Sequence, residues 1–404
     1  MYKLLITNEE CDPSTQNIEV VERKGVGHPD SVADIIAETM SNEYSRYSLD
    51  KFGIVLNHWF DKVLISGGEA LLSPGGSQVV KKPRVYLFGK VTNVTDFDFP
   101  LEKLFTKVVH EVFKKIFNVD GDLAPDISID VNSGVGSEHD KDFYTFGREN
   151  PHTPSTLLSN DTVFCCGYYS YSKLESFVVD LENYINSQIF KSMFPSTGFD
   201  VKILAVRNIR SVTITICVPF IAGKIASWDD YNESKRNVEI DLYAFCEKYS
   251  WDSVRILLNS KDTQGKGYLT VYGSALDKGD YGVVGRGNRY SGFISSNRGE
   301  TQEAYHGKNP ILHAGKLYTV IAHRISRKIY ELNHMSNKVL VTINNGSPIS
   351  SPESVWVSFG KSNLDGGGEI EKIITKEINN ISNISMSIIN KDPISEFRNR
   401  EILI

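Results

Sequence analysis

One order of elements recurs three times along the chain, and it restricts the possible folds more than any other feature. A helical pattern runs from Pro29 to about Leu49, with Val32, Ile36, Met40 and Tyr44 at helical spacing. Strand patterns follow at Ile54–Leu56, Val63–Ser66 and Val85–Val91, then a helix over Leu101–Phe117 and a strand over Ile127–Val131. The second round has a helix over Lys173–Met193, strands at Val201–Val206 and Val212–Phe220, a helix over Asp229–Tyr249 and a strand at Val254–Leu258. The third has a helix over Lys308–Leu332, strands at Val339–Ile343 and Val355–Phe359, and a helix over Glu369–Ile378. The rounds share little sequence, but their leading helices start near residues 29, 172 and 309. The expected fold is α+β: three pseudo-symmetric units, each a mixed sheet covered by helices. The units divide at 1–150, 151–265 and 266–404, with room for the structural domains to interleave.

The chain's 404 residues, 40% hydrophobic and 23% charged, are those of a soluble globular protein. A net charge of −6 argues against a general nucleic-acid binder. No apolar run is long enough to span a membrane, and the N-terminus lacks a signal-peptide layout. Cys11, Cys165, Cys166, Cys217 and Cys246 form no zinc or CxxC pattern, which fits a reducing cytoplasm.

The densest chemistry lies in Glu22-Arg23-Lys24-Gly25-Val26-Gly27-His28-Pro29-Asp30-Ser31-Val32-Ala33-Asp34. Pro29 suits the first helical position, which puts His28 at the N-cap. Asp30 and Asp34 are four apart and share one helix face. Free N–H groups at a helix start favour an anion, and carboxylates favour a hard cation such as Mg²⁺. Together they suggest a nucleotide polyphosphate. Alone, the segment also reads as a helix cap with ordinary first-turn acids.

The loop Gly279–Arg289 holds four glycines, Asp280, Arg286 and Arg289. Glycine lets backbone approach a ligand, and arginine matches phosphate bidentately. The spacing is neither a P-loop nor a Rossmann fingerprint, and a solvated hairpin tip is the alternative. Gly307-Lys308-Asn309-Pro310 enters the third leading helix, where Lys308 would add positive charge at a helix start, or be a plain exposed lysine. Ser159-Asn160-Asp161-Thr162 enters the second unit; Asp161 there suits a ribose, an amine, Mg²⁺ or a simple turn. No Ser/His/Asp triad, HExxH site or cysteine nucleophile is legible.

Taken together, these blocks resemble the S-adenosylmethionine synthetases (methionine adenosyltransferases) of the archaeal-type branch. The resemblance rests on Val21–Asp34, Asn160-Asp161-Thr162, Gly279–Arg289, Gly307-Lys308-Asn309-Pro310, His313 and Gly315-Lys316-Leu317-Tyr318, in that order over nearly the whole chain. It implies an enzyme in which the sulfur of L-methionine attacks C5′ of ATP. The triphosphate leaves whole and is cleaved to phosphate and pyrophosphate. It implies Mg²⁺, with K⁺ as a further ion, and a homodimer with active sites between subunits. His28 then resembles the histidine near the ribose and leaving oxygen, with Gly27 beside it. Asp30 resembles a Mg²⁺ ligand, Glu22 a carboxylate near nucleotide or metal, and Asp280 an acid near substrate and metal. Arg286 resembles a phosphate contact, with Arg289 in the same block, and Lys308 a polyphosphate lysine. Asp161 resembles the acid near adenosine and methionine, and Asp61 an acid near methionine or a K⁺ site.

Some positions depart from the pattern. The usual Gly-Gln-Gly-Ser reads Gly134-Val135-Gly136-Ser137, so Val135 replaces an amide associated with the methionine end. Phe164-Cys165-Cys166 is bulkier, Trp59-Phe60 less polar, and no lysine matches near Arg210. Two rivals follow: a paralogue alkylating another thioether, and a nucleotide-binding regulatory protein without turnover. A generic kinase is disfavoured because neither a hydroxyl-activating base nor a P-loop is present.

Overall fold

A computed structural model describes residues 2–94, 97–134, 145–146, 157–360 and 367–398. The helix Pro29–Phe52 begins at the N-cap His28 and ends at Gly53, whose φ of 74° is left-handed. It packs on a mixed sheet in the order Gly282–Val283, His58–Ser66, Arg84–Val91, Asp126–Asn132. Helix Leu101–Phe117 packs beside it, burying Phe105, Val108, Val109, Val112, Phe113 and Ile116. The second sheet runs Ser253–Leu258, Ser211–Cys217, Lys202–Asn208, Ile18–Lys24, Ile294–Ser295. The third runs Lys3–Asn8, Ser354–Phe359, Asn337–Ile343, Val163–Tyr169. Val212, Ile214 and Ile216 alternate into the second core as their period-2 pattern requires.

The threefold plan holds, with a cyclic exchange of strands. In each sheet the first two strands after the leading helix pair antiparallel, and the second pairs parallel with a third. For the last unit that third strand is Lys3–Asn8, supplied by the N-terminus. A strand ahead of each leading helix joins the sheet of the next unit, and ahead of the third helix the short strand Ile294–Ser295 also intervenes, pairing with Ile18–Lys24. Ile18–Lys24 pairs with Lys202–Asn208, Val163–Tyr169 with Asn337–Ile343, and Gly282–Val283 with His58–Ser66. Sheets therefore draw strands from both sides of residues 150 and 265. Two visiting strands need glycine where they meet helix backbone. A Cβ on Gly167 would lie 2.2 Å from the Ala322 carbonyl carbon, and one on Gly282 would lie 2.2 Å from the Pro29 oxygen.

Several element boundaries differ from expectation. Ile54–Leu56 is not a strand: the chain leaves the left-handed Gly53 cap and pairs only from His58. The Lys173–Met193 helix is two, Lys173–Ile185 and Gln188–Met193, because Ser187 caps a new start by accepting from Phe190 N at 3.2 Å. The third leading helix starts at Ala314, not Lys308, since Asn309 Oδ1 accepts from Ile311 N and Leu312 N, both at 2.9 Å, and holds a turn there. Five strands of the three main sheets were not read from sequence: Lys3–Asn8, Ile18–Lys24, Val163–Tyr169, Gly282–Val283 and Ile294–Ser295.

Buried histidines tie the fold to pH. His58 lies between Ser41 Oγ and Leu56 O, each 2.9 Å away, and burial pushes its pKa down to about 3. Burial likewise lowers His323 to about 4. Unfolded, each ring titrates near 6.5. Between the two values the unfolded chain binds more protons, so each contribution is complete above pH ~6.5 and is lost as pH falls toward ~4. Asp200 and Asp277, pushed up by burial to about 7, slope the other way. The check is therefore a difference. Relative to a His323→Phe variant, the wild type should lose up to about 3 kcal/mol in urea unfolding between pH 7 and 4. Parallel stability curves for the two proteins would show that His323 does not carry this term.

Candidate active site

Strand Ile18–Lys24 turns into the first leading helix through Gly25-Val26-Gly27-His28. A Cβ on Gly27 would fall 2.6 Å from the Phe199 carbonyl carbon, so only glycine fits. His28 caps the helix, its Nδ1 accepting from Asp30 N at 3.2 Å, with Pro29 in the first turn, as the sequence predicts. A neutral ring that accepts at Nδ1 carries its hydrogen on Nε2. Burial, aided by Lys24 and Lys202 and opposed by Asp30, lowers the His28 pKa to about 3. At neutral pH it is an uncharged N–H donor.

Asp30, Asp34, Glu38 and Ser41 then line one ridge of the helix, each engaging the segment after Gly282–Val283 or its end. Asp30 Oδ1 accepts from Val283 N at 3.0 Å. Asp34 Oδ1 accepts from Gly285 N at 2.7 Å and lies 3.3 Å from His306 Nδ1. Glu38 accepts from Gly307 N at 2.9 Å and from Lys316 Nζ at 2.7 Å. Ser41 Oγ donates to Lys308 O at 3.0 Å. The shared face of Asp30 and Asp34 is confirmed. The expectation that both present it to a cation is not, because loop N–H groups and His306 take up Asp34.

A cation locus remains beside Asp30. Lys24 Nζ lies 2.9 Å from Asp30 Oδ2, 2.5 Å from Arg286 O and 4.0 Å from Glu22 Oε1. Lys202 Nζ lies 3.3 Å from the other Glu22 oxygen. Two carboxylates and a carbonyl form an oxygen set that suits a hard cation. Here an ammonium fills it. The Arg286 side chain is exposed. Arg289 pairs with Glu300 at 2.7 Å, and exposed Asp280 accepts from its neighbour Tyr281 N at 2.9 Å.

A second cluster gathers around Lys308, which forms an isolated bridge to Trp59. Its Nζ pairs with Glu303 and lies 3.6 Å from Asp61 Oδ2 and 3.4 Å from His313 Nε2. Asp61 Oδ2 also accepts from Lys62 at 2.7 Å, while its Oδ1 is buried without a partner. His313 caps the third leading helix, Nδ1 accepting from Lys316 N at 3.2 Å. Burial, with Lys308, Lys316 and Lys62 nearby, holds its pKa well below the usual range. Asp161 Oδ2 lies 3.9 Å from His313 Nε2, and Oδ1 accepts from Thr162 N at 2.8 Å.

The site residues expected from sequence thus fall into two groups. Glu22, Asp30 and the Arg286 backbone gather at Lys24, with His28 beside Asp30 and Gly27 next to it in the turn; Asp61, Asp161 and Lys308 gather at Glu303 and His313. Asp280 bonds within its own loop, and Arg289 pairs with Glu300 beyond it. Val135 lies outside the described residues. Lys24, Lys202 and Glu303 were missed as partners. Lys24 had a signal, since two residues after Glu22 on a strand it shares a face with that carboxylate.

Residues 4–392 match the S-adenosylmethionine synthetase (AdoMet synthetase) family. The S-adenosylmethionine synthase of Pyrococcus furiosus is 34% identical over 343 residues, covering 83% of this chain and 84% of that protein. That of Methanosphaera stadtmanae is 34% identical over 397 residues, covering 92% and 94%. A probable S-adenosylmethionine synthase of Aquifex aeolicus is 31% identical and covers 97% and 99%. Among solved structures, an unusual S-adenosylmethionine synthetase from Campylobacter jejuni superposes with a TM-score of 0.61 at 14% identity, covering 90% of this chain and 88% of that one. Likeness over this length and at this identity, together with the threefold exchanged fold and its charged helix starts, makes the chain a member of the S-adenosylmethionine synthetase family.

Proposed function

We propose that the chain makes S-adenosylmethionine from ATP and L-methionine and then cleaves the released triphosphate to phosphate and pyrophosphate. The observation that carries this is a neutral N–H donor, His28, beside a cation locus and an exposed arginine. A thioether nucleophile has no proton to lose, so no strong base is needed. The demand is to align sulfur, C5′ and leaving oxygen and to stabilise the departing polyphosphate. His28 Nε2–H serves the ribose–triphosphate junction with Gly27 giving close backbone approach. Arg286, Arg289 and Lys308 take the phosphates, and Asp161 and Asp61 the methionine end, to which the sequence resemblance also assigns Val135.

Glu22, Asp30 and Asp280 are the residues that would hold Mg²⁺, and the oxygen set around Lys24 supports the first two. Mg²⁺ would supply positive charge to the polyphosphate oxygens. For Glu22 and Asp30 to take it up, Lys24 must move off Asp30. K⁺ is a second candidate ion, near Asp61. The reading also takes the protein as a homodimer with active sites between subunits. Leu5, Trp356 and Leu340 lie in register across the third sheet, Phe164 is on the same face, and Trp356 and Phe164 are exposed. Trp59 and Phe88 are exposed on the first sheet. Such faces suit a second copy. Among the described residues no helix is long and apolar enough to cross a membrane. All five cysteines are free thiols, which suits the cytoplasm. No nucleic acid is required.

Incubation with ATP, Mg²⁺ and methionine should yield S-adenosylmethionine, phosphate and pyrophosphate by mass spectrometry and ³¹P NMR. ADP as the main nucleotide product would mean γ-phosphoryl transfer and end this reading. Arg286→Ala should lose roughly 10²–10³-fold in turnover if its guanidinium stabilises the leaving group; near wild-type turnover would reject that role. His28→Ala should impair S-adenosylmethionine formation far more than hydrolysis of added tripolyphosphate. Equal loss of both activities would make His28 a structural cap only.

A further inference from the structure

One donor atom each from Asp161, Glu303 and His313 lies within 4.8 Å of the others, a grouping with the composition of a metal site. Its hydrogen bonding points elsewhere. His313 Nδ1 is used as the helix cap, so the neutral ring carries its hydrogen on Nε2 and has no lone pair there for a metal. The Lys308 ammonium stands 3.4 Å from that Nε2. Both groups are donors, so they cannot satisfy each other, and two donors at one place call for an anion. The carboxylate of Glu303 is the nearest such anion: it pairs with Lys308 and reaches within 4.8 Å of the His313 ring, while Asp61 Oδ2 stands farther off at 3.6 Å from Lys308.

The two sides of the pair differ in freedom. The Lys308 side chain is 5% exposed, and its backbone oxygen accepts from Ser41 Oγ at 3.0 Å and Lys316 Nζ at 2.8 Å. The Glu303 side chain is 34% exposed and can turn out to solvent. We propose that Lys308 and the Nε2–H of His313 form an anion cradle that Glu303 occupies in the free chain, and that a phosphate of the substrate's polyphosphate displaces it. This rests on reading Lys308 as a polyphosphate lysine. Glu303 pairs the buried Lys308 ammonium when the site is empty, with a carboxylate oxygen within 4.8 Å of the His313 ring, and its charge competes with the incoming phosphate. It is a positioning residue that sets affinity, and it leaves the chemical step alone.

The test is calorimetric titration of magnesium tripolyphosphate into the full-length protein. Glu303→Gln removes the competing charge at nearly constant shape. It should bind tripolyphosphate about tenfold tighter or more, with a lower KM for ATP and kcat little changed. Glu303→Asp, which keeps the charge, should bind as the wild type does. Glu303→Ser is a second neutral variant should the first fold poorly, and should tighten binding likewise. His313→Asn preserves a helix cap but moves the donor, and should weaken binding. Tripolyphosphate bound by the wild type through Lys308, yet no tighter in either neutral variant, would overturn the displacement alone. Binding unaffected by Lys308→Met would overturn the reading of Lys308 and this proposal with it. Mn²⁺ binding without nucleotide that is lost in His313→Asn would restore the metal site and overturn the cradle.

Discussion

The ridge Asp30–Asp34–Glu38–Ser41 on the first leading helix is the constraint on which the rest of the site depends. It meets backbone N–H groups at Val283, Gly285 and Gly307 and donates to the carbonyl of Lys308, so one helix face sets the path of a long irregular segment. Irregular backbone cannot satisfy itself as a helix or sheet does, and buried N–H groups without partners are costly. Acids spaced four apart supply acceptors at the pitch of the helix. Gly287 shows how tight the fit is: a Cβ there would lie 1.9 Å from Asp34 Oδ2. Glu38 does double duty, because it also holds Lys316 of the third leading helix, both side chains at 1% exposure or less. Removing one partner of such a buried pair typically costs about 3–5 kcal/mol, since the other charge is left unpaired. Two of the three units are therefore locked together through one carboxylate.

The three leading helices solve the same capping problem with different residues. Ser172 caps the second with a full capping box to Glu175, a purely local solution. His28 and His313 cap the first and third. Histidine is a poor cap by frequency, but using Nδ1 as the acceptor fixes which nitrogen keeps the hydrogen. A fixed, neutral N–H then faces away from the helix. In both cases burial keeps the ring uncharged, so the donor does not vary with pH near neutrality. Charged groups gather at the second start too, but there they are closed into buried ion pairs around Ser172, Glu175 with Arg298 and Glu19 with Arg207.

Much of this was legible where the cause is local. Helix Leu101–Phe117 matches its sequence boundaries because one apolar face runs its full length and Asn118 turns left-handed after it. The His28 cap and Pro29 start follow from residue type alone. Reading failed where a distant or competing partner decides. Ile54–Leu56 has the residues of a strand, but the Gly53 cap directs it into a connection. Lys173–Met193 has continuous apolar spacing, and only Ser187 breaks it. Lys3–Asn8 carries no sign that it will pair with Ser354–Phe359 from the far end of the chain. The same holds for side chains. Asp30 and Asp34 were identified correctly on one face, yet what occupies them is Lys24 on Asp30 and groups that arrive from residues 283–306.

The strand exchange explains why the candidate site residues sit where they do. Between a visiting strand and its own leading helix, the chain must cross from one unit to the next. From the first unit this takes only Gly25–His28, and from the second only Ser170–Ser172. From the third it takes residues 284–313, which start beside the sheet of the first unit, add Ile294–Ser295 to the edge of the second sheet and end at the helix of the third. Arg286, Arg289, Glu303, His306, Lys308 and His313 all lie on that one crossing. A short crossing can only cap a helix; a long one can run along the acid ridge and carry side chains to both of its ends. Pseudo-symmetry thus builds the scaffold, and the one crossing whose length breaks that symmetry carries Arg286, Arg289 and Lys308, the cations proposed to meet the polyphosphate.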